Sequence, residues 1–324
     1  MSEITLQDMN FFTPVVQFVV IFMLMASSAV WLRHKGVLSA EFTPAVSRMI
    51  TDIVLPALIF YRISDFRLDI KHLDSIVAMI LAECAVGIAA WAIGRYWIRL
   101  NRPALGTFIL ASTFGSTSLM GTALIQIVFP DNPEALATGM LVAQAGVGFP
   151  LNTIGVLIAI YFGGQNQRLD LANVLKTFIK NPVVLAFIAG LAWSHLSLPQ
   201  TGMVLTVVFG FLKFSGVSLT FLVALLTGLT ITPLTRKDFG RPLIACALLL
   251  LVVEPVLCNT FDRATGEKTM ASTLLLLLGA MPASPLVIAF SVRYGCDTEL
   301  ASKLVVNTCF LSIVTLPLIV LYYG

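Results

Sequence analysis

Two glutamates stand inside stretches that are otherwise almost wholly apolar: Glu83 in MILAECAVG and Glu254 in LLVVEPVLC. A charge at the centre of a bilayer costs about 2.5–3.5 kcal/mol on insertion scales, so each needs a chemical reason. A carboxylate shielded from water favours its protonated form and gives up the proton when a substrate or cation shifts the balance, which is the behaviour of a coupling group. Glu83 is therefore the expected proton-coupling carboxylate, with Glu254 its counterpart or an ion ligand. The plainer alternative for both is a buried acid paired with a neighbouring helix or lying near the water interface. A second group is uncharged: Ser116, Thr117 and Ser118 in FGSTSLMGTAL, then Gln126, Gln144, Asn152, Asn307 and Thr308. Amide donors and helix N-termini can hold a substrate carboxylate without a fixed arginine. Ordinary interhelical hydrogen bonding, worth roughly 0.6 kcal/mol each, is the competing account.

Other chemistries lack their residues. There is no HExxH, and His34, His72 and His195 fall at the edges of apolar runs. Cys84, Cys246, Cys258, Cys296 and Cys309 are scattered without CxxC spacing, so they read as small packing residues, and neither a metal nor a cofactor is expected. The chain carries no recognisable nucleophile and base for an intramembrane enzyme. Nor does it show the charge rings or filter repeat of a channel, or an output domain for a receptor. Asp52, one turn before Pro56, is expected to cap the backbone groups that the proline frees or to pair with Arg48. Lys213 is expected to snorkel to the interface, and Arg293 to anchor the end of its span.

The elements that must position these residues follow from composition. Of 324 residues, 58% are hydrophobic and 11% charged, with a mean hydropathy of +0.93, against roughly 25% charged in a soluble domain. That is a polytopic membrane protein. It excludes a disordered chain, a disulfide-stapled module and a nucleic-acid binder. The apolar runs are too long and too unbroken for a barrel, so they must be helices. Ten are expected, near 11–32, 46–64, 73–98, 104–129, 136–162, 181–197, 215–232, 242–259, 269–293 and 299–323. The first residues, MSEITLQDMN, have no Lys or Arg and so lack a signal peptide's basic region, which makes the first span a retained one.

Loop charges give the orientation. Arg33, Lys35, Arg48, Arg95, Arg99, Arg102, Arg168, Lys176, Lys180, Arg236, Lys237, Arg241, Arg293 and Lys303 follow the odd-numbered spans. Only Arg62, Arg67, Lys71, Arg263 and Lys268 belong clearly to the other side. The positive-inside rule places the first set in the cytoplasm and both termini outside, with the plasma (bacterial inner) membrane as the expected location.

The segment GGQNQRLDLANVLKTFIKN has amphipathic spacing and is expected to lie on the cytoplasmic surface. It separates two groups of five spans: residues 1–162, a linker at 163–180, and residues 181–324. The fifth span ends VLIAIYFG and the tenth PLIVLYYG, and a short polar turn precedes each. Five spans per half force duplicated halves into opposite orientations, the inverted-repeat plan of secondary transporters, in which interrupted helices expose backbone groups near the midplane. In the ninth span, Pro282 and Pro285 flank Ala283 and Ser284 within GAMPASPLVIAF, where continuous helix is disfavoured. The fourth span at the matching place has the Gly and hydroxyl run around Ser116–Ser118. The expected fold is thus an all-α polytopic membrane protein of ten transmembrane helices, arranged as two inverted five-helix repeats with broken crossover helices 4 and 9.

Several stretches carry a family resemblance: TDIVLPALIFYRIS, KNPVVLAFIAGL, GVSLTFLVALLTGL, GAMPASPLVIAFSVRYGCDTELA and TLPLIVLYY. In order and spacing the chain resembles the auxin efflux carrier family, its bacterial members in particular, over nearly its whole length. The resemblance implies a scaffold of helices 1, 2, 6 and 7 and a mobile domain of helices 3–5 and 8–10. It implies alternating-access transport of a small organic anion: an auxin-like monocarboxylate, or a dicarboxylate. The expected substrate contacts are Ser116, Thr117, Ser118, Asn152, Pro282, Ser284, Pro285 and Asn307, with Glu83, Glu254 and Gln126 for coupling. The first crossover departs from the family in lacking its Asn and Pro, so Ser116–Ser118 are expected to replace those hydrogen bonds. A sodium-coupled carrier of the bile-acid-transporter type shares the ten-helix plan, and Glu254, Gln126 and the hydroxyls at 116–118 would supply its oxygens. The expected partners are the organic anion, the bilayer and a coupling proton or sodium ion, with a homodimer as the candidate assembly.

Overall fold

The computed structural model describes residues 12–64, 73–121, 124–125, 129, 132–164, 176, 178–231, 240–265 and 270–323. Helices account for nearly all of them, in the order α1 (Phe12–His34), α2 (Thr43–Ser64), α3 (Leu73–Ile98), α4a (Arg102–Thr113), a single wide turn α4b (Thr117–Gly121), α5 (Glu134–Gly163), α6 (Pro182–His195), α7 (Met203–Thr230), α8 (Arg241–Asp262), α9a (Met270–Gly279), α9b (Leu286–Tyr294) and α10 (Thr298–Tyr323). Of these, α2, α3, α5, α7, α8 and α10 (to Ile319) are long and apolar enough to cross a membrane. Val19–His34 of α1, together with α6 and α9a, is apolar but shorter. Most of the linker expected at 163–180 lies outside the described residues.

Prolines shape the long helices. A wide, π-helical turn at Ile50–Val54 ends two residues before Pro56; Ala143–Gly148 precedes Pro150 in the same way, and Leu249–Val253 precedes Pro255. A proline offers no N–H to the ladder, and its ring crowds the turn before it. Inserting one residue into that turn relieves the crowding without ending the helix. Glu254 sits between such a turn and its proline, and Asn152 falls in a further wide turn, Leu151–Gly155.

The seventh helix differs from expectation. It begins at Met203, well before the 215 read from the sequence, and runs through Lys213. The side chain of Lys213 lies on the exposed face of α7, so the charge does not mark a boundary and the link from α6 is only a short turn.

Close approach of small residues fixes the packing. α1 packs on α7, where Gly228 lies against Ala26 and Ala29, and α6 packs on α2, where Gly190 lies against Ile63. α2 and α7 meet through Gly216 and Leu58. The other helices form a second cluster, with α3 on α4a and on α8, α8 on α9a, α9a on α5, and α4a on α10. The largest buried core includes Met79, Phe108, Leu250, Leu274 and Phe290.

Candidate functional site: a backbone crossing beside a carboxylate pair

α4a starts cleanly, with the Asn101 side chain accepting from the Ala104 N–H and Pro103 in the first turn. It ends at Thr113 because Phe114 turns extended, with φ −106° and ψ 106°. α9a ends at Gly279, and α9b does not begin until Pro285 has passed. In these gaps the two chains cross. The Ser116 N–H donates to the Pro282 carbonyl at 2.7 Å, and the Ser284 N–H donates to the Phe114 carbonyl at 2.9 Å. Gly115 and Ala283 thereby form a one-residue antiparallel bridge, and each interrupted helix supplies partners for the other's exposed backbone groups. Glycine at 115 eases this approach, since a Cβ there would stand 3.3 Å from the Met281 carbonyl oxygen. The Ala283 N–H reaches the Thr308 hydroxyl of α10 at 3.2 Å.

The crossing gathers Ser116, Thr117, Pro282, Ser284 and Pro285 in one buried place. Asn307 is the chain neighbour of Thr308, and its amide donates to the Lys303 carbonyl at 2.7 Å. Asn152 donates to the Gly148 carbonyl at 2.7 Å, which leaves its buried carbonyl oxygen without a partner. It lies about one turn from Gly155, which faces the Phe114 ring. The backbone of Ser118 belongs to α4b, but its side chain and the whole of Gln126 lie outside the described residues.

The acids stand beside the crossing. α3 and α8 run antiparallel in a regular ladder: Ser75 donates to Asp262 at 3.3 Å, and the Cys258 thiol meets the Met79 sulfur at 3.5 Å. One further turn along each helix, the same register brings Glu83 and Glu254 to one level. Glu83 is 3% exposed and Glu254 0%. None of their four carboxylate oxygens has a hydrogen-bond partner. The half-helices end close by: Thr113 of α4a lies over Gly87, one turn from Glu83, and Gly279 of α9a lies against Pro255 and Cys258.

Ser112 and Thr113, which the sequence did not single out, carry buried hydroxyls: Ser112 lies beside the Cys246 thiol, and Thr113 has no partner. Thr51, Thr227, Thr308 and Ser312 instead return theirs to carbonyls of their own helices. Asp52 requires a correction. It neither caps the turn before Pro56 nor pairs with Arg48; it pairs with Arg293 of α9b at 3.1 Å. Arg293 thus joins two helices instead of merely anchoring the end of its own. Among the described residues no group of three or more His, Cys, Asp or Glu is placed to hold a metal.

An apolar all-helical chain whose interrupted helices satisfy each other's backbone is a polytopic membrane protein organised around a crossing. A model of a family described as membrane transport protein matches residues 11–320, and the chain belongs to that family, the auxin efflux carrier family. It is 23% identical over 279 residues to an uncharacterized transporter of Methanocaldococcus jannaschii, covering 85% of this chain and 88% of the relative. It is also 23% identical over 294 residues to an uncharacterized transporter of Methanothermobacter thermautotrophicus, covering 89% and 91%. The family and these relatives are transporters, not enzymes.

Proposed function

We propose that the protein is a secondary transporter that carries a small organic anion, a mono- or dicarboxylate, through an alternating-access movement of elevator type. The observation that carries this reading is the Gly115–Ala283 bridge, where both interrupted helices meet. An anion docked there would face Ser116, Thr117 and Ser284 and the N-terminal end of α9b, whose dipole favours negative charge. Asn152 and Asn307 flank the site from α5 and α10.

An inverted repeat is supported by pairings that recur when the helix number is shifted by five. α1 on α7 matches α6 on α2, α3 on α4a matches α8 on α9a, and α5 on α9a matches α10 on α4a. α3 on α8 is its own counterpart, as expected at a pseudo-two-fold axis. In this reading α1, α2, α6 and α7 are the scaffold, and the other helices move. The cytoplasmic loops are those after the odd-numbered spans, both termini face outward, and the location is the plasma membrane.

Glu83 and Glu254, with Gln126, are assigned to coupling. A sodium-coupled carrier of the bile-acid-transporter type is the second reading, favoured by the same unpartnered carboxylates. Solid-supported-membrane electrophysiology on proteoliposomes tests both, using a panel of mono- and dicarboxylates with and without sodium. Saturable currents for one carboxylate are expected. A requirement for sodium selects the second reading, and no current for any carboxylate overturns the substrate class.

A further inference from the structure

We infer that Glu83 and Glu254 are one site and not two: their facing carboxyl groups hold a single exchangeable proton between them, where the half-helices α4a and α9a end. The inference deepens the transport reading by naming its coupling site, and three observations carry it. The first is register. Ser75 with Asp262 and Met79 with Cys258 set a four-residue ladder, and the next rung brings Glu83 and Glu254 to one level between the helices. The second is the absence of compensation, because four buried carboxylate oxygens have no hydrogen-bond partner. Two carboxylates so placed cannot both stay ionised without a positive charge between them. The third is the surroundings. Thr113 beside Gly87 and Gly279 beside Pro255 bring the C-terminal ends of both half-helices to the pair, and helix C-termini carry partial negative charge. The site is therefore built to attract a positive charge.

The titratable groups nearest the pair on its own helices are Cys84, on the exposed face of α3, and Cys246, Cys258 and, beyond Cys258, Asp262 on α8. None of these is basic. α4a contributes only Arg102, at its far end and held by the Tyr161 carbonyl. α9a, α4b and the wide turn Ala143–Gly148 contain no ionisable residue. Glu299 and Lys303 of α10 are bonded to each other near its start, and Glu134 stands at the far end of α5.

The proton is tied to transport by chain continuity. α4a runs directly into Phe114–Ser116 and α9a into Ala280–Pro285, so the ends that border the pair are the ends from which the crossing is made. An anion arriving at the crossing adds negative charge close to the pair and favours the proton. Movement of the half-helices to the other side of the membrane then presents the pair to the other solution. Cargo and proton would thus travel together, one proton to each pair.

The test is an infrared titration of the full-length protein in lipid, without substrate, following the C=O band of a protonated carboxyl that shifts in D2O. The wild type should show one such band titrating with a single-proton slope, an occupancy ratio changing about tenfold per pH unit. In Glu83→Gln and in Glu254→Gln the remaining buried acid should keep one band, displaced in frequency and midpoint because its partner is gone, and the double variant should have none. Replacing choline by sodium at equal ionic strength should leave it unmoved. Two bands, one lost in each variant, would overturn the shared site, as would a titration that neither variant touches. Displacement of the band by sodium would overturn the choice of proton. Glutamine keeps the shape and removes the charge, and elution profile and helical circular dichroism check that each variant folds. The wild-type titration needs no variant. Because no carboxylate is present, failure of the substrate currents and failure of this proton site are read separately.

Discussion

Asp52 of α2 and Arg293 of α9b meet at 3.1 Å, which ties a scaffold helix of the proposed carrier to the helix that follows its second break. The contact has company. The Ser47 hydroxyl donates to the Ala289 carbonyl at 2.8 Å, the Asn181 amide to the Tyr294 hydroxyl, and the Ser302 hydroxyl to Thr230 at 2.6 Å. All four join α2, α7 or the start of α6 to α9b or α10. Both charged side chains are about a third exposed, at 28% and 33%, so the ion pair contributes only about 0–1 kcal/mol to folding. Arg293→Gln should therefore change the melting temperature by a few degrees at most while altering transport rate. Asp52→Arg combined with Arg293→Asp should restore part of that rate. Thermal melts and carboxylate currents of the same preparations check this, and unchanged currents in Arg293→Gln would show that the pair has no part in alternation.

Glycine substitutions separate close packing from idle space. A Cβ on Gly163 would run into the Tyr294 carbonyl, whereas one on Gly210 in α7 would meet nothing within 4 Å. Gly163→Ala should destabilise by about 1–3 kcal/mol, because backbone cannot step aside as a flexible side chain can. Gly210→Ala should melt at or above the wild-type temperature, since alanine is favoured over glycine within a helix by about 1 kcal/mol. Parallel thermal unfolding in one detergent measures both.

Thr308 holds the crossing from outside it. Its hydroxyl accepts the Ala283 N–H at 3.2 Å and returns its own proton to the Leu304 carbonyl at 2.8 Å. Thr308→Val keeps the shape but strands a buried N–H, at a cost of about 1–3 kcal/mol. Thr308→Ser should recover most of the loss. If valine melted like the wild type, the Ala283 N–H would have another partner and the crossing would not depend on α10.

The breaks were legible in the sequence because their causes are local. Pro282 and Pro285 remove donors from any helix that contains them, and the Gly and hydroxyl run at 115–118 is a weak helix former, so both interruptions fall where residue types place them. Asp52 was misread for the opposite reason. Arg48 is one turn away in the chain, while Arg293 is 241 positions distant, and only the packing of α9b on α2 makes it the neighbour. The facing of Glu83 and Glu254 is of the same kind: each acid was conspicuous, but their common level depends on the register of α3 against α8. The roles of Ser112, Thr113 and Thr308 were hidden because a hydroxyl in an apolar helix reads alike whether it bonds its own backbone, another helix or nothing.

Asn152 and Asn307 each spend one amide proton on a carbonyl four residues earlier, at 2.7 Å in both cases. Only Asn152 keeps a buried oxygen without a partner. If they line the anion site, Asn152→Ala and Asn307→Ala should weaken carboxylate binding about tenfold, the loss of roughly 1.4 kcal/mol, with elution profiles like the wild type. Unchanged affinity in both would leave the site to the crossing residues alone.

Orientation is testable with two exposed loop positions. Ser39 follows α1 and Thr201 precedes α7, so the charge bias puts the first in the cytoplasm and the second outside. Cys84 is the exposed cysteine, and Cys246, Cys258, Cys296 and Cys309 are buried. Burial also pushes the Cys296 thiol up to about 12, which keeps it protonated and slow to alkylate at neutral pH. A Cys84→Ser background should therefore be almost silent to a membrane-impermeant maleimide. In intact cells Thr201→Cys should label at once, and Ser39→Cys only after permeabilisation. The reverse pattern would invert every span. It would place the Asp52–Arg293 pair at the outer face and exchange the inward and outward sides of the proposed transport cycle.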